Sequence, residues 1–165
     1  MCSSDLQPES QVVLGGAEVN LSVGAVGIPP IGYQWRKNAT DQSGATQPAF
    51  SLSNVTRLDA GLYSVMVTNP TGSLLSSNAV VRVLAPERLS APVQLPGGGL
   101  QLMFGDADGG ALLTTNDIAT FTVLASTNLT DWTVLTNALS VTNGMMLFED
   151  STTNYPARFY RVVEH

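Results

Sequence analysis

Asp59-Ala60-Gly61-Leu62-Tyr63-Ser64-Val65-Met66-Val67 is the stretch that decides the fold. It opens as a turn: Gly61 suits a tight bend, and the Asp59 carboxylate can satisfy nearby backbone amides. It continues as a strand, with Tyr63, Val65 and Val67 alternating with Ser64, Met66 and Thr68. Alternation with a period of two is the pattern of a half-buried strand. Upstream, Val19, Leu21 and Val23 alternate with Asn20 and Ser22, and Gly27, Pro29-Pro30 and Trp35 follow. Downstream come the turn Asn69-Pro70-Thr71-Gly72 and the run Val80 to Leu84. Turn signals recur roughly every eight to twelve residues, as in an all-β sandwich or barrel. No window carries a helical stripe of ten or more residues.

In this order the residues resemble an immunoglobulin-like domain over residues 8–84. Val19-x-Leu21-x-Val23, Gly27-x-Pro29-Pro30 and Trp35 resemble strands B and C. Leu52, Asp59-x-Gly61-x-Tyr63-x-Val65 and Asn69-x-x-Gly72 resemble the entry to strand F and the F–G hairpin. The resemblance implies that Trp35 fills the centre between two sheets. It places Tyr63 at the tyrosine corner, where the hydroxyl bonds backbone. It also puts valines, Val23 and Val65, where such domains often carry cysteines, facing each other across the core. A bridge closing that loop would contribute roughly 4 kcal/mol in the chain-entropy model. Without it, packing of Val23, Val65 and Trp35 must supply the stability. Disulfide-free versions are common in long bacterial surface proteins, so the resemblance implies a secreted or cell-surface setting.

Composition agrees with an all-β chain. Of 165 residues, 44% are hydrophobic and only 12% charged; Thr, Ser, Asn and Gly fill the gap, which favours strands and turns over solvated helices. The net charge is -6, with seven Lys and Arg scattered along the chain. That argues against a nucleic-acid partner, which calls for a basic stripe. No apolar run reaches the roughly 18–20 residues of a membrane span, so membrane insertion is not expected. Cys2 is the single cysteine, which excludes an intrachain disulfide. Met1-Cys2-Ser3-Ser4-Asp5-Leu6 resembles a translated adapter remnant and lacks the apolar core of a signal peptide. Residues 1–7 are therefore expected to be a non-native or disordered leader.

Residues 85–96 contain Pro86, Pro92 and Pro96 and read as a stiff linker. Gly97-Gly98-Gly99 then opens a second, small antiparallel β domain over residues 97–165. Its expected strands are Leu100 to Phe104, Phe121 to Ala125, a run at Trp132 and Val134, Met145 to Phe148 after the Asn143-Gly144 hairpin signal, and Arg158 to Val163. Ala125-Ser126-Thr127-Asn128-Leu129-Thr130-Asp131-Trp132, Phe148-Glu149-Asp150 and Arg158-Phe159-Tyr160-Arg161-Val162 resemble a C-terminal module of large secreted proteins of Verrucomicrobia and related bacteria. Alternation puts Phe159 and Arg161 on one face and Tyr160 and Val162 on the other. Both faces are partly apolar, so the strand is expected inside a sheet, with Arg161 pairing with Asp150 or Glu149. The expected core residues are Val23, Trp35, Tyr63, Val65, Trp132 and Phe159.

Catalytic chemistry finds little support. His165 is the sole histidine and terminal, so the chain alone cannot build a histidine-dependent triad. Glu149 and Asp150 are adjacent and point to opposite faces of a strand, poor geometry for paired acid–base work. Asp106 and Asp108, in Asp106-Ala107-Asp108-Gly109-Gly110, faintly resemble a calcium loop, but a third acidic position is missing and calcium wants six to eight oxygens. An ordinary polar turn is the better reading, and no cofactor is expected. Trp35, Tyr33 and Trp132 could stack on sugars, yet Trp35 and Trp132 read as core and Tyr33 shares the face of Trp35. The expectation is a non-catalytic structural or interaction module at the C-terminal end of a larger exported protein. Its partner would be an unknown protein or polysaccharide, besides upstream domains of the same polypeptide. The alternatives are a carbohydrate-binding accessory of a secreted hydrolase and a secretion or surface-sorting module.

Overall fold

The computed structural model describes residues 3–107, 112–136, 139–152 and 157–165. The chain divides into two compact units, Met1–Ala85 and Pro86–His165. The first holds β1 (Ser3–Leu6), β2 (Gln11–Leu14), β3 (Val19–Ser22), β4 (Gly24–Val26), β5 (Gly32–Lys37), β6 (Thr40–Asp41), β7 (Ala49–Leu52), β8 (Gly61–Asn69), β9 (Gly72–Leu75) and β10 (Ala79–Leu84). One sheet runs in the order β2-β10-β8-β5-β6, with β9 also paired to β8; β3 pairs with β7 and β1 with β4. These pairings are antiparallel except β2 with β10, which run parallel.

The alternation seen in the sequence becomes burial. Val19 and Leu21 are buried while Asn20 and Ser22 are exposed, and Tyr63, Val65 and Val67 are all buried on β8. Trp35 lies directly across from Val65 in the β5–β8 ladder. Val23 joins them in one core cluster, and Phe50 stacks on Trp35 with ring centroids 5.8 Å apart. Full burial of a valine stabilises by about 1.5–3 kcal/mol, so the two valines match the contribution expected of a bridge in their place. Between β9 and β10 the strand steps out of line. There Ser76 N donates to the Val65 carbonyl at 3.0 Å, and Val65 N donates to Ser76 Oγ at 2.9 Å.

The second unit contains β11 (Glu87–Leu89), β12 (Val93–Gln94), β13 (Leu100–Asp106), β14 (Phe121–Ser126), β15 (Thr133–Val134), β16 (Ser140–Thr142), β17 (Met145–Asp150) and β18 (Phe159–Glu164). One sheet runs β11-β13-β17-β16, with β12 also on β13, and a second runs β15-β14-β18. Leu102, Phe104, Met146 and Phe148 from the first sheet and Phe121 and Val123 from the second form one buried cluster. Phe104 meets Phe121 edge-on, with centroids 5.4 Å apart. No helix among the described residues is long and apolar enough to cross a membrane.

Two segments differ from the sequence reading. Ser3–Leu6, expected in the leader, forms β1 against β4, so backbone pairing gives that stretch a place. The expected linker holds β11 and β12, both paired to β13. Pro86 and Pro92 precede these strands and Pro96 follows them. The missing N–H groups therefore fall at strand ends, where a ladder tolerates them.

Candidate functional site

In the first unit the polar groups flanking the core brace turns. Tyr63 donates its hydroxyl hydrogen to the Asp59 carbonyl oxygen at 2.7 Å, as the tyrosine-corner resemblance implied. The Asp59 carboxylate accepts from Thr56 N at 2.8 Å and from its hydroxyl at 3.2 Å. Burial, helped by the nearby Asp59 charge, pushes the Tyr63 phenol up to about 12. Gly61 then passes beneath Asn38, whose Oδ1 accepts from Leu62 N at 2.9 Å.

The second unit places a carboxylate at the edge of its core. Asp150 is buried while its neighbour Glu149 is exposed, as alternation requires. Asp150 Oδ2 accepts from the Tyr160 hydroxyl at 2.8 Å and pairs with Arg158 Nη1 at 2.6 Å. Its Oδ1 accepts from Thr152 N at 3.0 Å and from the Thr152 hydroxyl. Burial alone would raise this carboxyl. The Thr152 and Tyr160 hydrogen bonds and the Arg158 charge outweigh it and hold Asp150 below its usual range. Tyr160 is pushed up to about 12, by burial first and then by its bond to Asp150. The sequence pointed to Arg161 as the partner; the partner is Arg158. Arg158 and Tyr160 share the inward parity of β18, whereas Arg161 is exposed on the other face. That parity was the signal available in the sequence.

Two expected core residues lie elsewhere. Phe159 is 39% exposed, because β18 is an edge strand and its inward face is taken by Tyr160 and Val162. Trp132 is half-buried and lies outside the core cluster. It closes a turn in which Ser126 Oγ accepts from Leu129 N at 2.9 Å and Asn128 Oδ1 accepts from Asp131 N at 2.9 Å. The other four, Val23, Trp35, Tyr63 and Val65, are buried together.

A hollow of about 580 Å³ is lined by Arg88, Leu89, Ser90, Gly105, Asp106 and Met145 among others. It contains Asp106, while Asp108 lies outside the described residues. Among the described residues no group of three or more His, Cys, Asp or Glu is placed to hold a metal.

A family model described as immunoglobulin domain matches residues 3–69. Among solved structures, the titin fragment A168169 is 16% identical at a TM-score of 0.57, covering 98% of this chain and 89% of that one. Sidekick-1 immunoglobulin domains 1–5 are 18% identical at a TM-score of 0.55, covering 98% of this chain and 33% of that one. An I-band fragment of titin is 18% identical at a TM-score of 0.52, covering 90% and 54%. A search of curated proteins gave no match. At these identities the structural likeness speaks for the fold alone. Over residues 3–69 the first unit is similar to immunoglobulin domains, and the chain is all-β in the manner of immunoglobulin-like sandwich folds.

Proposed function

We propose that this chain is a non-catalytic structural and interaction segment: a spacer that bears tension within a larger exported protein of the bacterial-surface type. The observation that carries the spacer reading is the parallel ladder between β2 and β10, with Gln11 across from Val81 and Leu14 across from Leu84. It joins the second strand of the first unit, downstream of β1, to its last. Tension applied at Gln11 and Leu84 pulls the two strands in opposite directions along their length, so the rungs share the load as shear instead of opening one by one. The exported setting is supported by the sequence resemblance alone. A non-catalytic role is supported by how the carboxylates are used. Asp59 braces Thr56, Asp117 braces Thr114, and Asp150 ties Thr152, Tyr160 and Arg158.

Single-molecule stretching of the full chain, held at its two ends, tests the spacer reading. The expected trace has one high-force event that releases about 20–27 nm of chain, which is roughly 3.6 Å for each residue from Gln11 to Leu84 less the length already spanned in the fold. A first unit that yields at low force without a distinct event would sink the spacer role.

A further inference from the structure

The backbone ladder between β2 and β10 covers Gln11–Leu14 and Val81–Leu84. Two side chains continue it upstream. Gln7 Oε1 accepts from Ser77 N at 2.8 Å and from the Ser77 hydroxyl at 3.2 Å. Ser10 Oγ accepts from Val80 N at 2.8 Å. Both contacts span 70 residues of sequence, the offset that also pairs Gln11 with Val81. They therefore stand on the register of the parallel ladder, as two more rungs. At the other end Gly15 N donates to the Leu84 carbonyl at 2.9 Å. The tied stretch thus runs from Ser77 to Leu84 instead of starting at Val81.

Side chains take over where the backbone cannot serve. Pro8, buried between Gln7 and Glu9, has no N–H to give to a ladder, and β2 begins only at Gln11. A backbone amide at a sheet edge needs an acceptor, from protein or from water. Gln7 and Ser10 supply one to Ser77 N and one to Val80 N. At equilibrium such exposed bonds contribute little, because water replaces them on unfolding. Under tension they count for more. A pull from upstream enters β2 through residues 7–10, and a pull from downstream enters β10 through Leu84. Rungs loaded in shear break in one step, so each added rung raises the barrier to that step.

We propose that Gln7 and Ser10 are tension-carrying rungs, and that they set the rate at which the first unit yields to a pull along β2 and β10. This role rests on the spacer reading: without tension across those strands, the two side chains only satisfy edge amides.

The test is stretching of the full chain at a fixed force, comparing the parent with Gln7→Ala, Ser10→Ala, Gln7→Glu, Ser10→Thr and Tyr63→Phe. Each alanine variant should shorten the lifetime of the first unit about fivefold. Gln7→Glu and Ser10→Thr keep an acceptor oxygen and should hold near the parent's lifetime. Tyr63→Phe deletes a bond of the same kind away from the ladder, and should leave the lifetime within about twofold. Circular dichroism checks that each variant is folded, and the two sites are read independently, so either alanine variant alone decides. Parent lifetimes in the alanine variants would overturn the role of these side chains and leave the spacer reading standing. Equal shortening by Tyr63→Phe would do the same, since a general loss of stability would then explain the effect. A parent that yields without a distinct high-force event would remove both.

Discussion

The Tyr63 hydroxyl and the Asp59 carbonyl oxygen, 2.7 Å apart, tie the start of β8 to the 3₁₀ turn Arg57–Asp59. Tyr63→Phe keeps the buried ring and deletes only this bond. The expected loss is about 1–2 kcal/mol, read as a lower urea midpoint with an unchanged slope. An unchanged midpoint would mean that the bond contributes nothing net.

The same phenol gives a pH dependence. Its folded value near 12 lies above the ordinary value near 10, so the folded state resists ionisation. The stabilisation is therefore complete below about pH 10 and is lost as pH rises toward 12. Tyr160, also near 12, behaves the same way in the second unit. Tyrosinate absorbance should lag in the native protein and jump with unfolding; titration of all tyrosines near pH 10 would contradict this.

Asp150 has the opposite sign. Its carboxyl is held below the usual range, so its stabilisation is present above about pH 4 and disappears as pH falls through the folded value. Asp150→Ala should cost roughly 2–4 kcal/mol, because Arg158 and Tyr160 lose their shared acceptor. Trp132 fluorescence in a Trp35→Phe background would report it. A variant as acid-resistant and as stable as the parent would refute the clamp.

Gly61→Ala should be costly for steric reasons. A Cβ there would sit 2.9 Å from Asn38 Oδ1 and 3.1 Å from Lys37 Cε, at φ +155. Asn38 cannot retreat without releasing Leu62 N. A loss of about 1–3 kcal/mol is expected, with Asn38→Ala recovering part of it in the double variant. Additive losses would show that the contact is not the cause.

Phe104 is fully buried between β17 and Phe121. Phe104→Ala should cost about 3–5 kcal/mol, with calorimetry showing the lost enthalpy. A loss under about 1 kcal/mol would mean that the second unit's core is loosely built.

The first unit was largely legible because its key residues are tied by spacing. Tyr63 and Val65 lie two apart on one strand, and Trp35 stands upstream where the resemblance places strand C. The second unit was less so. Alternation sorted Phe159 from Tyr160 but could not say which side was wet, since that depends on which sheet β14 brings behind the strand. Trp132 ends a turn, where periodicity carries no information. The short strands β11 and β12 were hidden by prolines that flank them.

Ser76 has a further consequence. By offering its hydroxyl to Val65 N, it stands between β9 and β10, so the edge that β9 forms beside β8 stops at Leu75 and β10 continues inside the sheet with β2 on its far side. A long straight edge invites strands of other molecules to add on. With charged residues making up only 12% of the sequence, electrostatic repulsion is a weak deterrent, and the kink leaves incoming chains no continuous template. In a crowded surface array, Ser76 would then limit how long a strand from a neighbouring molecule could pair along β9.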